Sequence, residues 1–600
     1  MDRTGIIVIT LCIGLFGFWL FEQHKYAEKL QAYYLAHPAA QASAAGTNAA
    51  VPSAYPASTP SVPTAPIFNA NGPEQFLVLT NHFARYTFTS HGGGIKSIDL
   101  LSYPETISAL WRNHGDSGSN GVASLNTRAP VPVMAVLGDS TLTGDGNFAL
   151  TTTNDTVWAE KSLAGGLKLI KTFQITSNYL VNVNIRWENT SGQPVALPEQ
   201  EYVVGTATPM DVDDTSIMNE GVMWYNGSSS SDTPVSWFTG SGLGCMRGAP
   251  RTEFRAGATN VVWVAAHNQF FALLAMPKDP AQSLVARPIT LPQFPNLGSI
   301  TNKPLPTGAQ AALVYPAQTL TAGSSVERQI ALYAGPKEYR TLAIIGDEFQ
   351  NRADDVMGFG SYFSFCAKPL LLAMNWLHDI THLGYGLVII LITVLIKLIF
   401  WPLTAASTRS MKRMQALQPE MAALKEKYKD DLQKFTSKQW ELYKKHKVNP
   451  MSGCLPMVIQ MPVFIGFFTM IRSAIELRGA HFLWAADLSK PDTLFMIPGV
   501  TFIPMISTVQ GLPFNLLPLL MGGAMLWQSH LTPPSPGMDP GQQKIMRYMP
   551  LIFLVFLYNY SAGLALYWTV NNLLTILQTK LTKNLKDPVT TVVPVTKKKR

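Results

Sequence analysis

At 600 residues, 47% of them hydrophobic, and with a mean hydropathy of +0.11, the chain is too long for one ordinary domain and too apolar for a purely soluble protein. The formal charge is +8, but its basic residues gather between Arg409 and Lys447 and from Lys580 to Arg600, so the asymmetry says more than the total. Cys12, Cys245, Cys366 and Cys454 lie far apart without CxxC or Cys/His ligand spacing, and no Gly-x-x-x-x-Gly-Lys-Ser/Thr loop is present, so neither a zinc site, a disulfide framework nor the commonest nucleotide-driven motor is indicated. No cofactor, metal or catalytic residue is expected.

The apolar run Ile6–Phe21 reaches about 24 Å as a helix, and Glu22-Gln23-His24-Lys25 follows it where a cleaved signal needs a small-x-small site. Residues 1–25 therefore read as an uncleaved membrane anchor. Residues 26–66 are rich in Ala, Pro and Ser and bury too little to offset ordering entropy, which makes them a linker.

From 67 to 345 short runs alternate, as in Tyr179, Val181, Val183, Ile185 and Trp187, with Gly- and Asn-rich turns at His91–Gly94, Gly144–Gly146 and Asn189–Gly192. An antiparallel all-β sandwich is expected. Asp211, Asp213 and Asp214 lack EF-hand spacing and read as a solvated acidic loop. After Asp347 the pattern turns helical, and residues 346–383 form an aromatic-rich amphipathic stretch suited to lying on a membrane.

Residues 384–600 read as a helical membrane core, with spans at about 384–403, 454–475, 514–530, 545–558 and 564–581. With the anchor the count is six. The apolar segment 494–509 is interrupted by Pro498 and Pro504 and is not counted. Six spans keep the basic segment 404–450, the Lys544/Arg547 loop and the tail 582–600 in the cytoplasm with both termini, and put the sandwich outside. The segment 545–558 spans only about 21 Å against about 30 Å of hydrocarbon, and a short span thins the bilayer.

Lys397 interrupts the span at 384–403 at a cost of about 2.5–3.5 kcal/mol. Thirteen Leu, Ile, Val and Phe residues between Leu387 and Leu403 offset it. One reading has Lys397, about 20 Å along the helix, snorkel to the cytoplasmic face. The other makes it the fixed charge of a hydrated cavity. Trp568, Asn571, Thr575 and Gln578 form one polar stripe on the last helix and favour the second reading. Gln460, Gln528, Thr393 and Tyr567 are further candidates to face that space. In the basic segment, Met411, Met414, Leu417, Met421 and Leu424 recur at helical spacing before a turn near Asp430-Asp431. They read either as an adaptable contact face or as the packed seam of a helical hairpin.

Several motifs then stand in order: Trp401-Pro402-Leu403-Thr404, Leu417-Gln418-Pro419, the run Lys447–Pro456, Gln460-Met461-Pro462-Val463-Phe464, Asp539–Met546, Met549-Pro550 and Ser561–Trp568. Together they resemble the YidC, Oxa and Albino group of membrane-protein insertases, in the Gram-negative form with a large periplasmic domain. The resemblance implies a five-helix core with a cytoplasmic helical hairpin, preceded by a periplasmic β-supersandwich similar to galactose-mutarotase-like folds. It implies a hydrophilic groove whose charge, usually arginine, falls on Lys397, with Thr393 and Trp568 on groove positions, the latter commonly tyrosine. Implied partners are nascent membrane-protein segments, the Sec translocon and its accessory subunits, the ribosome and the signal-recognition-particle receptor. The tail Lys597, Lys598, Lys599, Arg600 is expected to meet ribosomal RNA or membrane lipids. The expected function is insertion and folding of inner-membrane proteins, without ATP hydrolysis. Two other classes were weighed: a solute transporter or channel, which calls for internal duplication not visible here, and a membrane-tethered periplasmic carbohydrate-active domain.

Overall fold

The computed structural model describes residues 70–105, 121–176, 178–210, 219–240, 249–293, 306–360, 364–428, 431–446, 448, 455–503, 505–508, 511–531 and 540–583. The expected anchor, the linker, the Asp211–Asp214 loop and Lys597–Arg600 lie outside them.

Period-two alternation produces the β domain. Its largest sheet is a nine-stranded antiparallel array whose spatial order is Ser230–Pro234, Gly221–Tyr225, Trp263–His267, Phe271–Pro277, Ser325–Pro336, Leu180–Asn189, Leu167–Ile175, Thr156–Ser162 and Ala149–Thr153. A five-stranded sheet, ordered Phe254–Ala256, Ser283–Thr290, Thr307–Tyr315, Gln200–Ala207 and Val136–Gly138, packs against it. The two meet where Trp187 Nε1 donates to Tyr202 Oη at 2.9 Å. They approach closely at Gly205, whose φ of 147° and proximity to Leu273 leave no room for a Cβ. The expected face is inside, with Val181, Val183, Ile185 and Trp187 all at most 2% exposed, each such side chain contributing about 1.5–3 kcal/mol. A four-stranded sheet, Phe76–Thr80 to Val122–Leu125, completes the domain.

The helical half starts earlier than the expected change after Asp347. The last long strand ends at Pro336 and helix α1, Tyr339–Glu348, follows at once, burying Tyr339, Leu342 and Ile345. Helix α2, Ser364–Thr381, buries Ala367, Leu371, Met374 and Leu377 on one face while Phe365, Leu372, Trp376 and Ile380 stay exposed on another. Both faces are thus apolar.

Helix α3, Tyr385–Ala416, runs well past the expected end at Leu403. Pro402 removes one helix hydrogen bond, but Thr404 Oγ1 donates to the carbonyls of Phe400 and Trp401 and the helix continues. The first hairpin helix expected from Met411 is instead divided: α3 carries Met411 and Met414, the chain breaks at Leu417, and Pro419 opens α4, Gln418–Lys427. Proline suits the first turn of a helix and not its interior. Asp431 then caps α5, Leu432–Lys445, accepting from the Lys434 amide. α4 and α5 close on their own small core of Met414, Leu417, Met421, Tyr443 and Val448.

The remaining helices are α6, Leu455–Ser473, α7, Leu516–Leu531, α8, Pro540–Leu557, and α9, Ala562–Lys583. α8 begins at Pro540, ahead of the expected Ile545, so it is 18 residues long, although its apolar stretch is confined to Tyr548–Leu557. The described residues of segment 494–509 are not helical: Thr493–Ile497 pairs antiparallel with Leu512–Asn515. Among the described residues, α3 is the one helix long and apolar enough, by length and composition, to cross a membrane. α8 carries its polar residues ahead of its apolar stretch, whereas α9 carries them along its length, and such a face needs protein or water opposite it.

The β domain and the helices are joined at the carboxyl end of α6. Arg478 donates to the carbonyls of Pro104 and Glu105 at 2.7 and 3.0 Å and lies over Phe270 and Phe271, while Gln269 Nε2 donates to the Arg472 carbonyl at 3.0 Å. The amides of Ala562 and Gly563, opening α9, donate to Lys490 and Leu488 in the loop after α6, and Phe482 of that loop fills the space at Gly386 near the start of α3. One end of the bundle therefore faces the β domain.

Candidate functional site

α9 organises the site because polar residues leave it in two directions. Toward α3, Lys397 Nζ donates to Thr575 Oγ1 at 2.9 Å, and Gln578 Nε2 donates to Thr404 Oγ1. Thr575 in turn donates to the Asn571 carbonyl at 2.7 Å. Toward α6, Gln460 Nε2 donates to Tyr567 Oη at 2.7 Å while the Tyr567 ring stacks on Phe467 at 4.0 Å. Trp568 is half-buried between Phe464 of α6 and Phe553 of α8, at 4.3 and 5.9 Å.

Lys397 is half-buried in the apolar stretch of α3, and among the described residues it enters no ion pair. A hydroxyl satisfies one of its three donors. A cation so placed has lost part of its hydration without gaining a counter-charge, so an incoming carboxylate or backbone carbonyl would be drawn to it.

The residues singled out from the sequence divide accordingly. Lys397 and Thr575 meet, with Asn571 joined through its backbone carbonyl, and Gln460, Tyr567 and Trp568 gather seven to eight residues before Thr575, about 10 Å along α9 at the helical rise. Thr393 is buried and bonds back to the Ile389 carbonyl at 2.6 Å, so its hydroxyl is satisfied within α3. Gln528 is half-buried on α7, where the neighbouring Trp527 carries the Lys580 ammonium over its ring at 4.9 Å. Tyr567, at 2% exposure, is a packed wall residue and not an open one.

Sequence reasoning passed over Thr404, which anchors Gln578, and Asn572, which is 4% exposed. Asn572 stands one position beside the stripe, and only the turn of α9 against its neighbours brings it inside. In the separate hairpin unit, Met414, Leu417, Met421 and Leu424 pack on Tyr443, Phe435 and Leu442. The methionine seam is closed on itself, with Met411 half-buried outside it and Trp440 53% exposed.

Comparison with known proteins follows the same division of the chain. Residues 77–373 match the family model described as the YidC periplasmic domain, and residues 376–588 match the 60Kd inner membrane protein family. The chain is 30% identical over 549 residues to the membrane protein insertase YidC of Syntrophus aciditrophicus (strain SB), covering 88% of this chain and 89% of that one. With the insertase YidC of Polynucleobacter asymbioticus it shares 38% identity over 317 residues, 53% of this chain and 49% of the relative. A solved structure, of an active YidC insertase with its first transmembrane domain resolved, aligns over 87% of this chain and 95% of its own at 21% identity and a TM-score of 0.32. On two family models that together span most of its length and a relative matched nearly end to end, the chain belongs to the YidC family of membrane protein insertases.

Proposed function

We propose that the chain takes hydrophobic segments of other proteins into the inner membrane by holding their polar flank in a hydrated groove beside Lys397 and letting their apolar part pass sideways into lipid. The observation that carries this reading is the Lys397–Thr575 contact: a half-buried cation in an apolar stretch of helix, met among the described residues by a hydroxyl and no carboxylate. The groove comprises Lys397, Thr393, Gln460, Gln528, Tyr567, Trp568, Asn571 and Thr575. Attraction of an acidic client residue to Lys397 is on the order of 4 kcal/mol at 4 Å for an effective dielectric near 20. Apolar transfer, at about 25 cal/mol per Å², supplies the downhill term without nucleotide hydrolysis.

In this reading residues 6–21, the first part of α3, and α6 to α9 cross the bilayer six times. Retention of Lys/Arg-rich loops places the hairpin and both termini in the cytoplasm and the β domain in the periplasm. The hairpin receives clients by opening its seam of Met414, Leu417, Met421 and Leu424, with Met411 beside it, since unbranched side chains repack on unlike partners. The Sec translocon, the ribosome and the signal-recognition-particle receptor are the proposed partners, with Lys597–Arg600 contacting RNA phosphate or anionic lipid. Lysine in place of the usual arginine keeps the charge and gives up the forked donor geometry, so charge and not bidentate bonding is the proposed requirement.

The test is depletion and rescue with a photocrosslinking amino acid at position 568. Crosslinks to client segments are expected, and their absence at normal expression would overturn the groove.

A further inference from the structure

The connection between α6 and α7 ends in a β-hairpin, Thr493–Ile497 with Leu512–Asn515, that a set of side-chain hydrogen bonds fastens at its base. Asp492 accepts from Trp484 Nε1 at 2.8 Å and from the Leu517 amide at 2.7 Å. Thr493 Oγ1 donates to Asn515 Oδ1 at 2.7 Å, and Asn515 Nδ2 donates to the Tyr558 carbonyl at 2.8 Å. Tyr558 Oη returns a bond to the Pro513 carbonyl at 2.8 Å. Asn559 Nδ2 donates to the carbonyls of Met505 and Ile506 at 3.0 and 2.8 Å, holding Met505 at a φ of 67° that a side-chain-bearing residue seldom adopts. The hairpin is thus fastened to the turn between α8 and α9.

What it turns outward is apolar. Phe502 is 79% exposed, Met505 56%, Phe495 48% and Ile497 37%, and the Phe495 ring is braced by stacking on Phe514 at 4.7 Å. No Asp, Glu, Lys or Arg occurs from Thr493 to Ser529. A charge-free, aromatic-tipped two-stranded ribbon is poorly suited to water. The same charge-free stretch continues without a break into α7, whose Leu519, Leu520 and Trp527 are also turned outward.

We propose that this β-hairpin is a membrane wedge: Phe495, Ile497, Phe502 and Met505 enter the acyl region of the leaflet on the β-domain side, and fix the depth of the α8–α9 turn there. The inference rests on the reading that α7 lies in the bilayer. Two-stranded edges carry backbone groups that lipid cannot satisfy, so the wedge stops near the boundary of headgroups and chains while its side chains reach further. Continuity with the outward face of α7 identifies lipid, and not a charged protein surface, as the occupant.

The experiment uses the full chain, with Cys12, Cys245, Cys366 and Cys454 replaced by alanine, reconstituted in phosphatidylethanolamine/phosphatidylglycerol vesicles. An environment-sensitive fluorophore is placed through F502C, through L520C on α7, and through K278C on the exposed β-domain surface. Position 502 is expected to behave like 520: blue-shifted, quenched by more than half by nitroxide on the lipid chains, and shielded from aqueous iodide. If 502 follows 278 while 520 reports lipid, the wedge is wrong and the spanning reading survives. Shielding of 502 from both quenchers would show protein covering it, which also overturns the wedge. If 520 itself answers to iodide, both readings fall together.

Discussion

Two lysines in this chain, Lys171 fully buried and Lys397 half-buried, are held in opposite ways. Lys171 in the β domain is 0% exposed and donates to three backbone carbonyls, Gly92, Gly93 and Met134, at 2.7, 3.2 and 2.9 Å, with Phe148 beneath the ammonium at 4.6 Å. All three donors are used, and the tight glycine turn at Gly92-Gly93, with φ of 74° and 54°, is tied to the strand behind it. Lys397 has one hydroxyl. A saturated ammonium is a structural pin whose removal leaves acceptors stranded, whereas an undersupplied one keeps bonding capacity for something that arrives later. Beyond the difference in burial, the count of partners tells these apart.

The largest expected effect follows from the saturated site. Lys171→Met strands three carbonyls and should lower β-domain stability by about 3 kcal/mol, at about 1 kcal/mol for each stranded acceptor, read as a fall in the urea midpoint of the purified chain by tryptophan fluorescence. Lys397→Met should leave that midpoint where it is. In insertion assays the ranking reverses: Lys397→Glu should slow insertion of clients with acidic translocated flanks on the order of a hundredfold, about 3 kcal/mol, whereas Lys397→Arg should be tolerated. Equal rates for all three would remove the charge from the mechanism.

A pH titration sharpens the contrast. Burial, reinforced by the Lys161 ammonium, pushes the Lys171 ammonium down from 10.5 to about 7. Between those values the unfolded chain binds more protons than the folded one, so stability rises with pH across that window, and the cost of burying the charge is fully felt below it. Raising pH from 7 to 9 should stabilise the β domain by up to about 2 kcal/mol, and this gain should be absent in Lys171→Met. The smallest effect is that of Tyr567→Phe, which removes the hydroxyl that Gln460 reaches and should cost about 1 kcal/mol, seen as a modest drop in the melting temperature of the detergent-solubilised chain.

Both lysines left a trace in the sequence, but of different clarity. Lys397 stood out because a charge interrupts a run of Leu, Ile and Val, although snorkelling to the membrane face also accounts for it. Lys171 occupies the buried phase of its strand, alternating with Leu169 and Phe173, and that misplaced charge was the available signal. The strand pattern around Trp187 was equally legible because the β period is short and the turns carry glycine. Less readable were elements decided by tertiary contact. Thr493–Ile497 is an apolar run that length and prolines alone leave unassigned, and it becomes a strand through pairing with Leu512–Asn515 and the bonds of Asn515 and Asn559. The continuation of α3 through Pro402, with Thr404 bonded back to the carbonyls of Phe400 and Trp401, and the division at Leu417 ahead of Pro419 are settled locally in the folded chain. The inward turn of Asn572 followed from how α9 packs, which spacing along one helix does not encode.

The most direct measurement compares wild type with Lys397→Met in reconstituted vesicles, using one client whose translocated flank is acidic and the same client with those residues neutralised. Insertion of the acidic client should slow about tenfold, one charge-assisted interaction being about 1.5–3 kcal/mol, while the neutral client and the thermal midpoint stay unchanged. An equal slowing of both clients, or a lowered midpoint, would contradict the account and make Lys397 a structural pin like Lys171.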